Sequence, residues 1–271
     1  MLSPADKALW YIESHFHQPL TLESISENVG VSPWHLTRAF GVATGRSIMR
    51  YVRERRLTQA ARTLAQGAPD ILAVALDAGY NSHEAFTRAF RDQFGRTPEA
   101  LRTCGDLSTI QLIEPIRMDQ SFLTDLAPPR FETTKAFLIA GFGQSYNDET
   151  SANIPAQWQR FGPHLQPGQT AYGVLCNPDG AGNIEYICGV EVPSLARIPE
   201  GWHHVQIPER RYAVFTHRDH ISGIRRTWHT IFNQWLPESG YTVARAPEFE
   251  KYGLAFNPVT GLGGVEIWIP L

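Results

Sequence analysis

The phrase Thr37-Arg38-Ala39-Phe40 recurs letter for letter as Thr87-Arg88-Ala89-Phe90. Its surroundings recur too: Gly30 and Gly79 stand upstream, and Gly45-Arg46 and Gly95-Arg96 downstream. Each copy lies in a segment that reads as helix, glycine turn, helix. A repeat of this kind is one supersecondary unit used twice. With an arginine in each copy, it predicts two similar prongs rather than one active site.

Start and stop signals delimit the helices of the front third. Ser3-Pro4-Ala5-Asp6 combines a capping serine, a first-turn proline and an acid at the positive end of the dipole. Leu9, Ile12 and Phe16 then share a face. Thr21 caps a second helix with Leu22, Ile25 and Val29 inside, and Gly30 stops it. Ser32-Pro33 opens a third, with Leu36, Ala39 and Phe40 inward and Trp34, Thr37 and Arg38 outward. Ser47 to Gln66 reads as a longer helix, buried at Leu57, Ala60, Ala61 and Leu64 and carrying Arg50, Arg53, Arg55 and Arg56. Asp70 caps a helix with Ile71, Val74, Ala75 and Ala78. Ser82 caps one buried through Phe86, Ala89, Phe90 and Phe94, and Thr97-Pro98-Glu99 restarts a short last helix.

Two short helices across a glycine turn form a helix-turn-helix, whose second helix enters a DNA major groove. The long helix of about 20 residues would span roughly 30 Å. Successive major-groove faces on one side of B-DNA lie roughly 34 Å apart. One chain could therefore place two such units in adjacent grooves without a dimer.

Composition narrows the class. At 271 residues the chain is long enough for two domains. No apolar run approaches the roughly 20 residues that span a bilayer, and the polar start does not read as a secretory signal. The three cysteines, Cys104, Cys176 and Cys188, lack CxxC spacing. Neither a disulfide framework nor a closed zinc site is expected, and a reducing cytoplasm is the default. Up to Cys104 there are 12 Lys+Arg against 10 Asp+Glu, and beyond it 12 against 17. The front is thus mildly basic, which suits nucleic acid.

This front segment resembles the DNA-binding domain of the AraC/XylS family of bacterial transcription regulators. The motifs that carry the resemblance are Ser32 to Phe40, Ala78-Gly79-Tyr80, Phe86 to Phe90 and Phe94-Gly95-Arg96-Thr97-Pro98. It implies an all-α double helix-turn-helix that reads double-stranded DNA through Trp34, Thr37 and Arg38 in the first unit. In the second unit the readers are His83, Glu84, Thr87 and Arg88, and Arg46 and Arg96, one after each copy of the repeat, are further DNA-binding residues. Family members often carry glutamines where His83 and Glu84 stand, so the second half-site does not follow. An arginine that bonds guanine O6 and N7 adds about 1–3 kcal/mol of discrimination. Simpler readings stay open: Glu84 as a dipole complement, Trp34 as core, and the arginines of the long helix as solvated charges.

Beyond Arg102 the pattern changes. Gly105 to Leu126 holds no sustained helical stripe, Ile110 to Ile113 reads as extended, and Ala127-Pro128-Pro129 is a breaker. This gives a reader over 1–104, a linker over 105–129 and a second domain over 130–271. In that domain, Ala136 to Phe142 reads as a strand and Ile154 to Leu165 as a helix. Thr170 to Cys176 and Ile184 to Val192 read as a hairpin across Pro178-Asp179-Gly180. A second round follows, with a strand at Arg211 to His217, a helix at Ile221 to Trp235, and strands at Glu250 to Ala255 and Val265 to Pro270. The repeated strand-helix-strand-strand order predicts a duplicated α+β domain with a cleft between halves.

In the last strand, period-two alternation puts Glu266 and Trp268 on one face. A carboxylate beside an indole suits a cationic or aromatic ligand, although the same pair could simply face solvent or a helix. The segment from about Pro115 onward resembles a GyrI-like effector-binding domain. The matches are Ile139-Ala140-Gly141 through Tyr146, Tyr212 to His217, and Glu266-Ile267-Trp268-Ile269-Pro270. The resemblance places a ligand-facing glutamate at Glu266. Trp158, Tyr172, Tyr186, Tyr212 and Trp228, with Trp268, are candidate walls for a small-molecule effector.

Other chemistry is thin. His217-x-x-His220 and His203-His204 lack a third metal ligand, and Thr260 to Gly264 lacks the lysine of a phosphate loop. Neither a cofactor, a metal nor a catalytic residue is expected. The chain reads as a non-enzymatic regulator of the bacterial cytoplasm and nucleoid. An activator's role with RNA polymerase is implied by the resemblance alone. The alternative is a GyrI-like hydrolase or drug-sequestering protein using Glu266, with a secondary DNA-binding domain.

Overall fold

A computed structural model describes residues 3–116, 123–147, 150–177 and 183–271. Seven helices fill the front: α1 Pro4–His15, α2 Leu22–Val29, α3 Pro33–Thr44, α4 Ile48–Ala65, α5 Ile71–Asp77, α6 His83–Phe94 and α7 Pro98–Cys104. The caps read from sequence make their bonds. The side chains of Ser3, Thr21, Ser32, Asp70, Ser82 and Thr97 each accept from a backbone N–H two or three residues on. Gly30, Gly45 and Gly95 end α2, α3 and α6 with φ of 82°, 70° and 69°, where a Cβ would be strained.

The 18 residues of α4 are about 27 Å long, and they divide two cores. One joins α1, α2 and α3 to Ile48, Tyr51 and Val52 of α4. The other joins α5, α6 and α7 to Leu57, Ala60, Ala61 and Leu64. Two of the five α4 arginines are braces. Arg55 grips Glu13 through two nitrogens at 2.8 Å and reaches the Ile113 carbonyl, while Arg56 donates to the carbonyls of Phe16 and Gln18. The segment read as an extended linker lies along α4. Ile113 N–H donates to Thr58 and Ile116 N–H to the Tyr51 hydroxyl.

The second part is a curled antiparallel sheet with helices on one face. Its strands are β1 Arg130–Thr134, β2 Phe137–Tyr146, β3 Ala171–Cys176, β4 Ile184–Val192, β5 His203–Ile207, β6 Arg210–His217, β7 Glu248–Tyr252 and β8 Val265–Pro270. α8 Ile154–Phe161 follows β2. α9 Ile224–Thr230, a π turn over Ile231–Trp235 and α10 Leu236–Ser239 follow β6. The sheet order is β1-β6-β8-β7-β3-β4-β2-β5.

The duplication is present with one strand more per half than the sequence shows. β1 and β5, both unread, form the two edges, and each pairs with the second strand of the other half. They are short and polar, Arg-Phe-Glu-Thr-Thr and His-His-Val-Gln-Ile, as edges that must resist further pairing tend to be. Where a cleft between halves is expected, β3 and β7 are hydrogen-bonded and the sheet runs through. The turn assigned to Pro178-Asp179-Gly180 lies outside the described residues. Ile139, Tyr172, Tyr212, Phe249 and Trp268 share a cluster on the face opposite the helices.

Candidate nucleic-acid interface and effector site

α6 presents what a reading helix needs. His83, Glu84 and Arg88 are exposed while Phe86, Phe90 and Phe94 bury the opposite stripe. Among the described residues no ion pair forms at Arg88. Glu84 sits in the first turn, where its own backbone N–H and the Ser82 hydroxyl hold its carboxyl below the usual range. Thr87 is half-buried, and its hydroxyl oxygen is enclosed by the fold. Arg96 is exposed beyond the helix, whereas Arg46, its counterpart after α3, pairs with Glu54 in the second turn of α4.

The first copy of the repeat is placed differently. The outward face of α3 meets the second domain instead of solvent. Trp34 donates its indole N–H to Glu248 Oε1 at 3.1 Å, and Arg38 donates Nε–H to Glu248 Oε2 at 2.8 Å. The Arg38 guanidinium lies over Trp228 at 5.1 Å and Phe232 at 5.4 Å. His35 Nε2 donates to the Phe232 carbonyl at 2.9 Å, and Asn233 donates to the Ala39 carbonyl at 3.0 Å. Ala39, expected in the reader's own core, packs with Ala213, Phe215, Trp228 and Ile231. Thr37 remains half-exposed, its hydroxyl bonded back to the Pro33 carbonyl. Phe232 and Asn233 reach α3 from the π turn, a rare register that often marks functional positions.

Glu248 is a second-domain residue with a side chain 0 % exposed. Burial pushes its carboxyl above the usual carboxylate range, while Arg38 and the Trp34 indole pull it back. Two residues on, and therefore on the same face of β7, Glu250 is also buried. Tyr186 and Tyr252 donate hydroxyls to its Oε2 at 2.9 and 2.8 Å, and Trp228 donates its indole N–H to Oε1 at 3.0 Å. Trp158 donates in turn to the Tyr186 hydroxyl at 3.0 Å. Burial, followed by the Glu250 charge, raises both tyrosines well above their ordinary value, so they stay protonated donors. Tyr186 reaches this position because β3 carries Gly173; a Cβ there would lie 2.0 Å from its hydroxyl oxygen. Among the described residues, no cation pairs with Glu250.

The six side chains nominated as pocket walls thus divide between the two faces of the sheet. Trp158, Tyr186 and Trp228 stand at Glu250. Tyr172, Tyr212 and Trp268 lie on the other face, and Glu266 is beside them, facing Lys251 across the β7–β8 ladder. Glu266 accepts from Trp268 Nε1 at 3.1 Å and pairs with Arg130 at 2.6 Å and with Lys251 at 3.9 Å. The chain's own cations therefore occupy the carboxylate–indole corner, with Arg130 and Lys251 lying 5.7 and 5.5 Å from the Trp268 ring. Sequence reasoning missed Glu248, Glu250, Tyr252 and Asn233. The one available signal was Glu248-Phe249-Glu250, two acids on one face of a strand in an apolar domain.

A family model described as a GyrI-like small molecule binding domain matches residues 127–271, and one described as a helix-turn-helix domain matches residues 25–103. Transcriptional regulator Rob of Salmonella typhimurium is 27% identical over 271 residues, covering 94% of this chain and 92% of that protein. Regulatory protein SoxS of Escherichia coli is 39% identical over 92 residues, 34% of this chain and 86% of its own length. A solved structure of a putative transcription regulation protein from Staphylococcus aureus aligns at a TM-score of 0.44 and 18% identity, covering 52% of this chain and 96% of its own.

Proposed function

The chain belongs to the GyrI-like family of small-molecule-binding domains, and from that premise we propose that its effector is a lipophilic cation received at Glu250. In front of that domain stands an AraC-type helix-turn-helix domain, and the whole is a DNA-binding transcription regulator with a small-molecule-binding domain. Its matched relatives Rob and SoxS are named as regulators. No described helix is long and apolar enough to cross a membrane.

The observation that carries the effector reading is Glu250 itself. A carboxylate only 7 % exposed, held by three neutral donors and no described cation, is an expensive group to bury. Its neighbours are aromatic, and their faces attract a cation that also carries rings. Glu266, already served by Arg130 and Lys251, has no comparable need. On the DNA side, α3 and α6 are the reading helices, with Arg38 and Arg88 addressing guanine in half-sites set apart by α4.

Two measurements test these readings. Selection from a random duplex library by the Arg225→Ala chain, whose α3 has lost its arginine tie to the second domain, should enrich a bipartite site with half-sites about one helical turn apart; enrichment of an unpaired site would sink the two-prong reading. Calorimetry should show benzyltrimethylammonium binding more tightly than neutral benzyl alcohol, with the difference abolished in Glu250→Gln. Retention of the full difference in that variant would sink the cation reading.

A further inference from the structure

The two copies of the repeat are not equally available. Arg88 is exposed on α6, whereas the Arg38 side chain is 14 % exposed and bonded to a carboxylate that is 0 % exposed. A helix lying in a major groove offers the groove the face that α3 here gives to the second domain. The same Trp34 and Arg38 cannot bond Glu248 and base edges at once. Glu248 offers Arg38 and Trp34 two acceptor oxygens, much as guanine offers an arginine O6 and N7. Arg225 secures the far end of α3 by reaching the carbonyls of Gly41 and Val42 at 3.4 and 3.3 Å, the place where a cation also complements the helix dipole.

Trp228 joins this contact to the effector site. Its indole N–H donates to Glu250 Oε1 at 3.0 Å, and its ring lies under the Arg38 guanidinium at 5.1 Å. A cation that takes over Glu250 removes the anchor that orients this ring. We propose that the second domain masks the first reading helix, using Glu248 in place of DNA, and that a cation at Glu250 lifts the mask through Trp228. This rests on the reading of α3 as a DNA-reading helix and of Glu250 as the effector carboxylate. The closed chain then holds DNA through one prong, and the opened chain through two.

The test compares the full chain as wild type, Arg225→Ala and Glu248→Gln. The duplex is one enriched from a random library by the Arg225→Ala chain, and the effector probe is benzyltrimethylammonium. Arg225 is exposed and outside both sites, so its removal weakens the mask without touching a buried group; Glu248→Gln keeps the shape and removes the charge. Both variants are expected to bind the duplex at least about tenfold more tightly than wild type, because affinity scales with the competent fraction. Saturating probe should tighten the wild type and leave the variants nearly unchanged. A variant that keeps the wild-type unfolding profile but binds no more tightly overturns the mask. A probe that binds by calorimetry and leaves wild-type DNA affinity unchanged overturns the coupling. If no duplex is enriched, or the probe gives no binding heat, the reading of the corresponding site is wrong and the inference falls with it.

Discussion

Arg38 donates its Nε–H to Glu248 across 2.8 Å, joining α3 to a strand 210 residues later in the chain. The two ends are not equivalent. Arg38 is at the rim of the contact and can swing to water, whereas Glu248 is enclosed. Arg38→Ala therefore strands a buried charge, a loss of about 3–5 kcal/mol at neutral pH. Glu248→Ala leaves an arginine that can leave the contact, and should cost less.

The stranded carboxylate has a pH signature. Burial raises Glu248, and Arg38 opposes the rise, so deleting the arginine lifts it further. A group with a raised folded-state pKa contributes its full stability below the unfolded value near 4.5 and loses it as pH climbs through the folded value. The stability gap between wild type and Arg38→Ala should thus narrow from pH 7 to pH 5, measured by urea unfolding. His35 and His229, both lowered by burial, titrate in each chain and largely cancel in the difference. A gap independent of pH would contradict the burial of an unpaired Glu248.

Helix boundaries were legible because caps and glycine stops are local chemistry. Ser32, Gly45, Ser82 and Gly95 act within a few residues of themselves, and the four αL or cap conformations follow. β4 and β8 were equally plain, since apolar residues fill both. β1 and β5 were not, because edge strands are written in polar residues that resemble loop. The outward face of α3 is legible as a face of its own helix, and its burial against the second domain is not. Nothing near Trp34 or Arg38 in sequence signals Glu248, whose contact is purely tertiary. Glu266 drew attention because it shares a short motif with an indole. Glu250 had no such neighbour, and only β3–β4–β7 pairing brings Tyr186 and Gly173 to it.

Gly173→Ala tests the built character of the Glu250 site. The new Cβ would lie 2.0 Å from the Tyr186 hydroxyl oxygen and 2.9 Å from Glu250 Oε2. Overpacking of this kind costs about 1–3 kcal/mol. Thermal unfolding should register the loss, and benzyltrimethylammonium should bind at least about tenfold more weakly, a change of about 1.4 kcal/mol. Unchanged affinity in the folded variant would place the ligand elsewhere.

The three cysteines should separate by reactivity. Burial pushes the Cys176 and Cys188 thiols up to about 12, while Cys104 is exposed. Since the thiolate is the nucleophile, a chromogenic disulfide reagent at pH 8 should titrate one thiol rapidly in the native chain and all three after denaturation. Rapid release of two or three equivalents from native protein would contradict the packing around β3 and β4.

Arg88→Ala should weaken specific binding by about 1–3 kcal/mol and relax base preference in its own half-site. Arg38→Ala should do less in the wild-type chain than in the Arg225→Ala chain, because a masked prong has little contact to lose. Equilibrium binding to a duplex panel varied at each half-site checks both. Equal losses for Arg38→Ala in the two backgrounds would contradict the masking.

The most direct measurement is a hydroxyl-radical footprint of the effector-free wild type beside Arg225→Ala on one enriched duplex. Wild type should protect chiefly the half-site lost on Arg88→Ala, and Arg225→Ala should protect both half-sites about one helical turn apart. Equal protection of both half-sites by the effector-free wild type would contradict the closure of α3 against Glu248.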